Sequence, residues 1–511
     1  MSRQSFSIVK YYPEQEKGRC GYCKSPDTNC SYGMWAQRLT VEDYQALLDR
    51  GWRRSGCYCY KPLMDQTCCP TYTIKCEALQ FKITKSQKKI LKKMGRFLRN
   101  ELNKDDTMDT SEDDDVRDIG EFPNYSKHLR ETEDCGFEMD VKSVNEEVNN
   151  KVQPDVSENE KQCNDPDTQQ KHSESLPCAL SRKEDSHDIS QSVESVEMNS
   201  VRAPCKKAKL LRIERKQKKL LAQGKTQDEI DAMFKENKQQ NRAKSLEELF
   251  EEMLSGTKRL ELKLVRTSPM SSGYIKTSNV SYELYKKYQT IVHGDPAAKV
   301  TEERYARFLV KSPLQQWKPS NGPPTGYGTF HEQYWLDNEL IAVGVIDILP
   351  ACISSVYFFY DPAYAHLSLG TFSSLREVCL TRELNRSAEN LKYYYMGFYI
   401  HTCPKMRYKT RMKPSKLLCP ETYRWFDVEP CLRKLDKEKY SRLNDDIDAI
   451  DEDGVINVNE VCIIHAKVKM TFRAFKILIK PTVTKEEEEE VEEYARSVGM
   501  KCARSMYLYR R

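Results

Sequence analysis

The sequence predicts a mixed α/β protein with a small cysteine-rich N-terminal domain, a long disordered acidic insert and a larger α/β domain. Three observations support this prediction. Cysteines are concentrated near the start of the chain, acidic residues dominate one long segment, and strand-like and helix-like patterns alternate from about residue 258 onward. At 511 residues the chain is too long for one ordinary core, so more than one folded unit is expected.

Neither a membrane helix nor a targeting segment is expected. The longest apolar stretches, such as residues 340–349, are much shorter than the roughly 20 residues that a membrane helix needs. The first 20 residues lack the apolar core of a signal peptide, and they mix acidic and basic groups, unlike a transit peptide. We therefore expect a cytoplasmic and nuclear protein that has no membrane partner.

Cysteines define the N-terminal domain, which is predicted over residues 1–100. Of the 19 cysteines in the chain, eight fall in the first 76 residues. In a reducing compartment they indicate metal ligation, reactive thiols or buried packing rather than disulfides. The two-residue spacer between Cys20 and Cys23 lets one turn deliver two thiolates to a tetrahedral metal site. Two other pairs qualify for the second half of the site, and spacing alone leaves the choice open: Cys57 with Cys59, and Cys68 with Cys69.

Two alternatives to a metal site remain at this stage. Several of these cysteines are buried free thiols in the first, and Cys20 and Cys23 form a redox-active dithiol in the second. No βαβ pattern surrounds Cys20 and Cys23, which weakens the redox alternative. If a metal is bound, the same thiolates serve zinc or an iron–sulfur cluster, and the binding energy stabilises a segment with a modest core.

An acidic insert is predicted over residues 104–200. It carries 27 Asp and Glu residues against 10 Lys and Arg residues, whereas the whole chain has a net charge of +5. The insert has few large apolar residues, so it cannot bury enough surface to offset the entropy lost on ordering. We therefore expect it to be a disordered spacer.

A basic helical segment follows over residues 201–256. Its abundant helix formers predict two helices separated at Gly224. Eight basic residues on the first helix indicate nuclear import or RNA contact, and the alternative is a solvated face. They are Lys206, Lys207, Lys209, Arg212, Arg215, Lys216, Lys218 and Lys219.

Residues 257–511 show the pattern of a folded α/β domain. A strand at 259–269 and two amphipathic helices precede an antiparallel meander, which turns at Asp337 and Asn338. A glycine-containing loop then opens a helix near Gly370, and another strand follows it. Such a junction suits anion binding because the first-turn N–H groups of the helix are free. The five glutamates at 486–490 are expected on an exposed helical face.

Several motifs, in order, resemble the eukaryotic arginyl-tRNA:protein transferases. The resemblance covers roughly residues 1–100 and 255–511 and omits the acidic insert. The motifs are "CGYC" (20–23), "GWRRSG" (51–56), "YKP" (60–62), "CCP" (68–70), "FHEQYWLD" (330–337), "GVIDILP" (344–350) and "SSVYFFYDP" (354–362).

The resemblance implies an enzyme that moves arginine from arginyl-tRNA to the α-amino group of proteins beginning with Asp, Glu or oxidised Cys. The product enters the ubiquitin-dependent N-degron pathway. It also implies a GNAT-like acyltransferase domain, similar to the bacterial leucyl/phenylalanyl transferases, and an N-terminal domain that binds zinc or an iron–sulfur cluster. The family's ligands match Cys20, Cys23, Cys68 and Cys69, so Cys57 and Cys59 are left with supporting roles.

The implied reaction needs a deprotonated amine to attack an ester, so it requires a base and oriented polar groups. Asp347, at the end of a buried strand, is the first candidate for the base or for the group that grips the arginine side chain. His331 and Tyr334 lie on an adjacent predicted strand and are expected to face the same cleft. The alternatives are a carboxylate that caps a turn before Pro350, and two satisfied core residues.

Substrate recognition requires cationic groups of two kinds. Arg53, Arg54 and Lys61 lie among the N-terminal cysteines and are candidates for binding acidic N-termini. A basic run after a predicted strand is the candidate surface for the tRNA acceptor stem, together with the loop at Gly370, which is expected near the terminal adenosine. The run consists of Lys405, Arg407, Lys409, Arg411, Lys413 and Lys416. No DNA partner is expected.

Two other functions compete with this hypothesis. The first is an N-acetyltransferase with a zinc domain, although the turn at 366–374 is shorter than the Gly-rich turn of enzymes that use coenzyme A. The second is a non-catalytic zinc-dependent RNA-binding adaptor, which the basic helix and the excess positive charge outside the insert suggest.

Overall fold

Two β-sheets and the helices packed on them make up most of the described chain. The structure is a computed structural model, and it describes residues 5–13, 17–102, 208–240, 244–479 and 483–510. The chain divides into two units, Met1–Gln153 with Lys244–Arg511, and Pro154–Ala243. The predicted acidic insert at 104–200 lies outside the described residues.

The first sheet joins the beginning of the chain to its end. It has seven strands, and the N-terminal strands β1–β4 share it with β13–β15 from the last 50 residues. Strand β1 pairs with β15 in parallel and with β2 antiparallel. In spatial order the strands are β14 (Val468–Thr471), β13 (Cys462–His465), β15 (Met506–Arg510), β1 (Ser7–Tyr12), β2 (Ser31–Arg38), β4 (Tyr58–Pro62) and β3 (Arg53–Ser55).

The second sheet has eight strands and also combines both parts of the chain. N-terminal strand β5 lies between two strands that come more than 300 residues later. In spatial order the strands are β12 (Trp425–Asp427), β11 (Ser415–Leu418), β5 (Tyr72–Glu77), β10 (Tyr393–Tyr399), β9 (Cys352–Tyr360), β8 (Glu339–Ile348), β7 (Gly328–Leu336) and β6 (Leu260–Ser268).

The predicted antiparallel meander is confirmed as β7, β8 and β9. Asp337 and Asn338 form the turn between β7 and β8, with φ angles of 47° and 74°. Aspartate and asparagine tolerate this left-handed conformation better than other non-glycine residues do, and a hairpin turn of this hand matches the strand twist. The turn, together with a register shift between Tyr334 and Trp335, sets the pairing that places Thr329 opposite Asp347.

Helices flank the sheets and join their strands. Within the described residues of the first unit they are α1 (Val41–Leu48), α2 (Lys85–Leu98), α5 (Leu246–Leu254), α6 (Ser272–Val292), α7 (Glu302–Tyr305), α8 (Leu369–Asn385), α9 (Val428–Leu435), α10 (Phe472–Leu478), α11 (Lys485–Val498) and α12 (Met500–Ala503). The second unit contributes α3 (Ala208–Ala222) and α4 (Gln227–Gln240).

Helices α6 and α8 pack on opposite faces of the eight-stranded sheet. On β7, Gln333 donates a hydrogen bond to Thr277 of α6, whereas the next residue, Tyr334, packs against Phe372 of α8. Side chains of successive strand residues point to opposite faces, which explains the division. The face covered by α8 also carries Glu332, which pairs with Arg376 of that helix.

The basic helical segment differs from the expectation of two helices. Residues 208–254 form three helices, α3, α4 and α5. Gly224 ends the first with a φ of 81°, as expected for a glycine after a helix terminus. Ser245 begins the third with a capping box, in which the Ser245 hydroxyl accepts from the Glu248 amide and the Glu248 carboxylate accepts from the Ser245 amide. Lys206 and Lys207 lie outside the described residues, as do the side chains of Lys209 and Arg212.

Candidate functional site

Four cysteine thiols meet at one point in the N-terminal part of the chain. The Sγ atoms of Cys20, Cys23, Cys68 and Cys69 all lie within 4.8 Å of one another. Four sulfur atoms bound to one zinc ion at about 2.3 Å lie about 3.8 Å apart in a regular tetrahedron. The four thiols therefore fit a single tetrahedral ion, and the predicted grouping of these cysteines is confirmed.

Backbone turns bring the two halves of the cluster together. The amide of Lys24 donates to the carbonyl of Cys20 at 3.1 Å, and the amide of Tyr22 donates to the Cys20 sulfur at 3.4 Å. Lys24 closes the turn in a left-handed conformation, with a φ of 63°. The hydroxyl of Thr28 donates to the Cys68 sulfur at 3.1 Å, which holds the second half against the first.

The thiols of the cluster differ in acidity. A backbone hydrogen bond at Ser25 lowers the pKa of Cys23 to about 7. Burial raises the pKa of Cys68 and of Cys69 above the usual range for a thiol. Because a metal binds the thiolate form, an ion at this site has to displace protons from the buried members.

The alternative pair, Cys57 and Cys59, does not belong to the cluster. Cys59 is completely buried in β4, and burial raises its pKa well above that of an ordinary thiol. Strand β4 pairs with both β2 and β3, so Cys59 packs inside the N-terminal sheet. Spacing in the sequence did not distinguish this pair from Cys68 and Cys69.

A second feature is a cavity between β9 and β10. These parallel neighbours are paired over only three positions, beginning at Cys352 and Tyr393, and then diverge. The cavity has a volume of about 70 Å³ and lies toward the carboxyl ends of the two strands. Its lining includes Tyr22, Arg53, Arg54, Ser355, Gly370, Ser373, Ser374, Tyr394, Gly397, Tyr408 and Lys409. Tyr22 lies between Cys20 and Cys23, so the cysteine turn forms part of the wall.

Arg53 and Lys409 give one end of the cavity a positive charge. A guanidinium nitrogen of Arg53 donates to the carbonyl of Trp52 at 2.7 Å, and its Nε has no hydrogen-bond partner. The Lys409 Nζ donates to the carbonyl of Phe398 at 2.6 Å, and burial lowers the pKa of Lys409 to about 7. Among the described residues, neither cation forms an ion pair with a carboxylate.

Arg54 and Asp347 form a buried ion pair beside the cavity. Two nitrogens of Arg54 donate to the two carboxylate oxygens of Asp347, at 2.8 and 2.6 Å, and the side chains are 1% and 0% exposed. The hydroxyl of Thr329 donates to the same carboxylate at 2.7 Å. Asp347 is thus held by groups from β3 and β7, and the pair joins the N-terminal sheet to the eight-stranded sheet.

His331 and Tyr334 lie on opposite faces of β7, although the sequence suggested one cleft for both. The His331 ring contacts the ring of Tyr274 on α6, and its Nε2 lies 3.0 Å from the carbonyl of Leu309. Burial lowers the pKa of His331 to about 4. Tyr334 packs on the α8 side, and its hydroxyl donates to Glu332 at 3.3 Å. The lining of the cavity includes neither residue.

Lys61 occupies a different cleft from the other two N-terminal candidates. Its Nζ donates to the hydroxyl of Tyr423 at 2.7 Å and to the carbonyl of Ser497 at 2.9 Å. Burial lowers the pKa of Lys61 well below the usual range for a lysine. The cleft has a volume of about 540 Å³, and Glu489, Glu492 and Glu493 of α11 line one side of it.

The predicted basic run is divided by its local structure. Pro404–Arg411 is a 3-10 helix that turns Lys409 into the cavity. Lys416, on β11, is partly buried and pairs with Glu77 at 3.1 Å. The remaining four basic side chains are exposed: Lys405, Arg407, Arg411 and Lys413.

Sequence reasoning did not single out Glu377, a fully buried acidic residue of α8. Its Oε1 accepts a hydrogen bond from the cavity residue Ser373 at 3.0 Å, and its Oε2 has no hydrogen-bond partner. The sequence did indicate that Ser373 and Glu377 are neighbours, because they are four residues apart and share one helix face. The sequence does not indicate that this face is buried.

Two family matches cover the segments that carry the cysteine cluster and most of the cavity. Residues 18–89, which contain the four cysteines, match the family described as "Arginine-tRNA-protein transferase, N terminus". Residues 280–419, which contain most of the cavity, match "Arginine-tRNA-protein transferase, C terminus". The cysteine cluster and the cavity therefore belong to an enzyme of the aminoacyltransferase class.

Relatives extend the match to nearly the whole chain. Arginyl-tRNA–protein transferase 1 of Drosophila melanogaster is 40% identical over 98% of this chain and 99% of the fly protein. The Arabidopsis thaliana protein of that name is 34% identical over 93% of this chain and 79% of its own length. An aspartate/glutamate leucyltransferase of Pseudomonas putida is 34% identical over 28% of this chain and 53% of its own length. The chain belongs to the arginyl-tRNA–protein transferase family.

Among the described residues, no helix combines the length and the apolar character that crossing a bilayer requires.

Proposed function

We propose that this protein transfers arginine from arginyl-tRNA to the α-amino group of proteins whose first residue is Asp, Glu or oxidised Cys. The product would then enter the ubiquitin-dependent N-degron pathway, in the cytoplasm and the nucleus. One observation carries the proposal at the level of the site. Arg53 and Lys409, two cations without a carboxylate partner among the described residues, line one small cavity. A cavity with unneutralised buried cations favours an anionic group, such as the side chain of an acidic first residue.

The arrangement of Arg53 and Lys409 in the cavity accommodates the following chemical steps. The α-ammonium of the acceptor loses a proton, the amine nitrogen attacks the carbonyl carbon of the ester, and the bond to the tRNA oxygen breaks. Because an aminoacyl ester is already activated, orientation of the two substrates supplies much of the rate. Fixing the acidic side chain at Arg53 and Lys409 leaves the α-amine, two bonds from the side chain, inside the cavity.

The fold supports a GNAT-like acyl-transfer domain. Strand β9 leads through a short 3-10 helix into α8, whose first turn presents Gly370 to the cavity. Its free N–H groups suit a phosphate near the terminal adenosine of the tRNA. We propose that the exposed side chains of Lys405, Arg407 and Arg411 contact phosphates of the acceptor stem, with Lys413 as a secondary contact because it pairs with Glu429 at 2.6 Å. We retain Lys416 in this surface only as a secondary contact, because Glu77 neutralises it.

We propose a positioning role for Asp347 and Arg54. Both oxygens of Asp347 accept hydrogen bonds from Arg54, so the carboxylate holds a cation that lines the cavity. The roles expected for Asp347, His331 and Tyr334 in proton transfer, and for Lys61 in peptide binding, stay predictions. In the described residues Asp347, Tyr334 and Lys61 are hydrogen-bonded to protein partners, and so is the Nε2 of His331, whereas the His331 Nδ1 has no partner there. These contacts favour support over direct contact.

For the cysteine cluster we propose one tetrahedral ion such as zinc. The separation of at most 4.8 Å suits four ligands of one ion, whereas a cluster of several iron atoms lies between its thiolates and spreads them farther apart. The residues that would hold it are Cys20, Cys23, Cys68 and Cys69. The ion would supply folding energy and fix the turn that carries Tyr22.

The test of the function is the transfer of labelled arginine from charged tRNA to a peptide that begins with Asp. We expect transfer to this peptide and little transfer to a control peptide that begins with Asn, which has the same shape without the charge. Transfer to both peptides equally would contradict recognition by the cationic cavity. Binding of the tRNA without transfer would favour the RNA-binding adaptor, and acetylation by acetyl coenzyme A would favour the N-acetyltransferase.

Replacing Lys409 with Met is expected to lower kcat/KM for the Asp peptide by about 10- to 100-fold, since a hydrogen bond to a charged group contributes roughly 1.5–3 kcal/mol. The pKa of Lys409 is lowered to about 7, so its charge is present below that pH and is lost as the pH rises. The preference for the Asp peptide over the Asn peptide should therefore weaken from pH 6 to pH 8.

The preference is the ratio of kcat/KM for the two peptides. Because both peptides carry an α-amine, the effect of its ionisation cancels in this ratio. Lys409→Arg serves as the matched control, because an arginine stays charged over this range and should give a ratio independent of pH. If the Lys409→Met enzyme kept the wild-type preference at pH 6, the assignment of Lys409 to the acidic side chain would be wrong.

We propose that the acidic insert at 104–200 is dispensable. The other bounds, 1–100, 201–256 and 257–511, stay predictions, and residues 1–100 and 257–511 share both sheets. The described flanks of the insert support its dispensability, since α2 before it and α5 after it pack together, with the amide of Lys258 donating to the carbonyl of Leu98 at 2.8 Å. Deleting residues 104–200 should leave peptide arginylation within about twofold of wild type, because shortening a long loop changes its closure free energy little. A well-folded deletion protein without activity would contradict this.

A further inference from the structure

Glu377 is a buried carboxylate that no cation neutralises within the described residues. It lies on α8 and is 1% exposed. The adjacent Arg376 points away from it and pairs with Glu332 at 2.8 Å and with Glu383 at 3.6 Å. A buried acid without a cationic partner costs stability, so its presence beside a cavity needs a reason.

Hydroxyl groups separate Glu377 from the cavity. Ser373 lines the cavity, and its Oγ donates to Glu377 Oε1 at 3.0 Å. Tyr394 and Ser355 line the same cavity, and the hydroxyl of Tyr394 donates to Ser374 at 3.3 Å. Glu377 therefore lies one hydroxyl group behind the cavity wall, on the side formed by α8, β9 and β10.

The opposite charges of the cavity complement the two ends of an acidic first residue. Arg53 and Lys409 supply the cationic end, where an acidic side chain is stabilised. The hydroxyl groups in front of Glu377 supply the other end, which suits a protonated amine. A substrate oriented in this way presents its α-ammonium to Ser373.

We propose that Glu377 receives the proton of the acceptor's α-ammonium through the hydroxyl of Ser373 and thereby sets the amine for attack. This inference rests on the proposed arginyl transfer. One N–H proton passes to the Ser373 oxygen while the Ser373 hydroxyl proton passes to the Glu377 carboxylate. The neutral amine forms a bond to the ester carbonyl carbon, the bond to the tRNA oxygen breaks, and a second amine proton goes to that oxygen. The proton on Glu377 returns to solvent after the product leaves.

The acidity of Glu377 suits this task. Burial, with a contribution from the charge of Glu332, raises the pKa of Glu377 to about 7, while the neighbouring hydroxyl groups act in the opposite direction. A proton acceptor works best when its pKa lies near the working pH. The titratable groups that face it come from β7, β10 and the 3-10 helix at 404–411: Glu332, Tyr334, Tyr394 and Tyr408. On α8 itself, Arg376 is directed to Glu332 and Glu383 instead.

The test compares Glu377→Gln with wild type in single-turnover transfer to the Asp peptide. We expect the rate to fall by about 10²-fold or more, in the range of general acid–base catalysis, with unchanged affinity for the peptide. The wild-type rate should rise with pH through the ionisation of Glu377 and through that of the peptide amine, near about 7.7–8. The rate of the Glu377→Gln variant should depend on pH only through the ionisation of the peptide amine. Glu377→Asp should recover part of the rate, and Ser373→Ala should lose it while Ser373→Thr retains it.

Glu383→Gln is the matched control, since it makes the same change on the same helix at an exposed position. Wild-type rates in Glu377→Gln would overturn the inference while leaving the proposed function intact, and so would a full rate in Ser373→Ala. Parallel loss of rate and of peptide affinity in Glu377→Gln would also overturn it, because Glu377 would then be structural. Absence of transfer by the wild-type protein would defeat the proposed function and this inference together.

Discussion

Replacing Cys69 with Ser is expected to remove most of the bound metal and to lower arginyl transfer by about 10²-fold or more. A serine hydroxyl is a poor substitute for a thiolate ligand, and structural zinc contributes roughly 10–16 kcal/mol of apparent binding free energy that becomes folding energy. Cys69 also lies three residues before β5, which is an interior strand of the eight-stranded sheet. Loss of the ion therefore loosens both the turn that carries Tyr22 and the chain segment that leads from Cys69 into β5. Cys20→Ser should behave in the same way.

The measurement is metal analysis of anaerobically purified protein together with thermal melting and the transfer assay. It also distinguishes zinc from iron with inorganic sulfide. Cys59→Ser provides the control, because Cys59 is buried in the same domain but lies outside the cluster. That variant should keep its metal even if its melting temperature falls. Full metal stoichiometry in both Cys20→Ser and Cys69→Ser would remove the proposed ligand set.

Replacing Asp347 with Ala is expected to lower the free energy of unfolding by about 3–5 kcal/mol. This is the usual effect of removing one partner from a buried ion pair, since the other charge stays buried without compensation. Arg54 would then carry a buried charge without a partner, on a side chain that is only 1% exposed. The change should be measured as a lower urea midpoint and melting temperature, with loss of activity following the loss of folded protein.

A double replacement, Arg54→Met with Asp347→Leu, separates the charge from the packing. Because both charges are then absent, it should recover much of the lost stability, although not the activity if Arg54 shapes the cavity. Asp347→Asn offers the opposite comparison with nearly the same shape. If it abolished transfer while leaving the melting temperature unchanged, the role of a base would be supported instead of a positioning role.

Features that depend on neighbours in the chain could be predicted from the sequence. The meander of β7 to β9 follows from alternating apolar residues and from a turn at Asp337 and Asn338, and both signals are local. The Cys20–Cys23 half-site follows from a two-residue spacer. In contrast, the partner pair of cysteines lies 45 residues or more away, where spacing carries no information about distance in space.

Residues whose roles depend on distant parts of the chain were harder to predict. Asp347 has the pattern of a strand-end carboxylate, but its partner Arg54 is 293 residues away in sequence. Within the basic run, the sequence does not distinguish Lys409 from the neighbouring basic residues. Lys409 lines the cavity because Pro404–Arg411 forms a 3-10 helix. His331 and Tyr334 were expected in one cleft, yet a separation of three residues on a strand places them on opposite faces.

The parallel pairing of β1 with β15 has a consequence for synthesis of the protein. On the ribosome, β1 emerges long before β15, because every other described strand lies between the two in sequence. During that interval one edge of β1 exposes unpaired backbone groups that other nascent chains can pair with. Production of the intact enzyme should therefore depend strongly on chaperones that bind emerging strands. Termination of translation before β15 should yield aggregates rather than a shortened transferase.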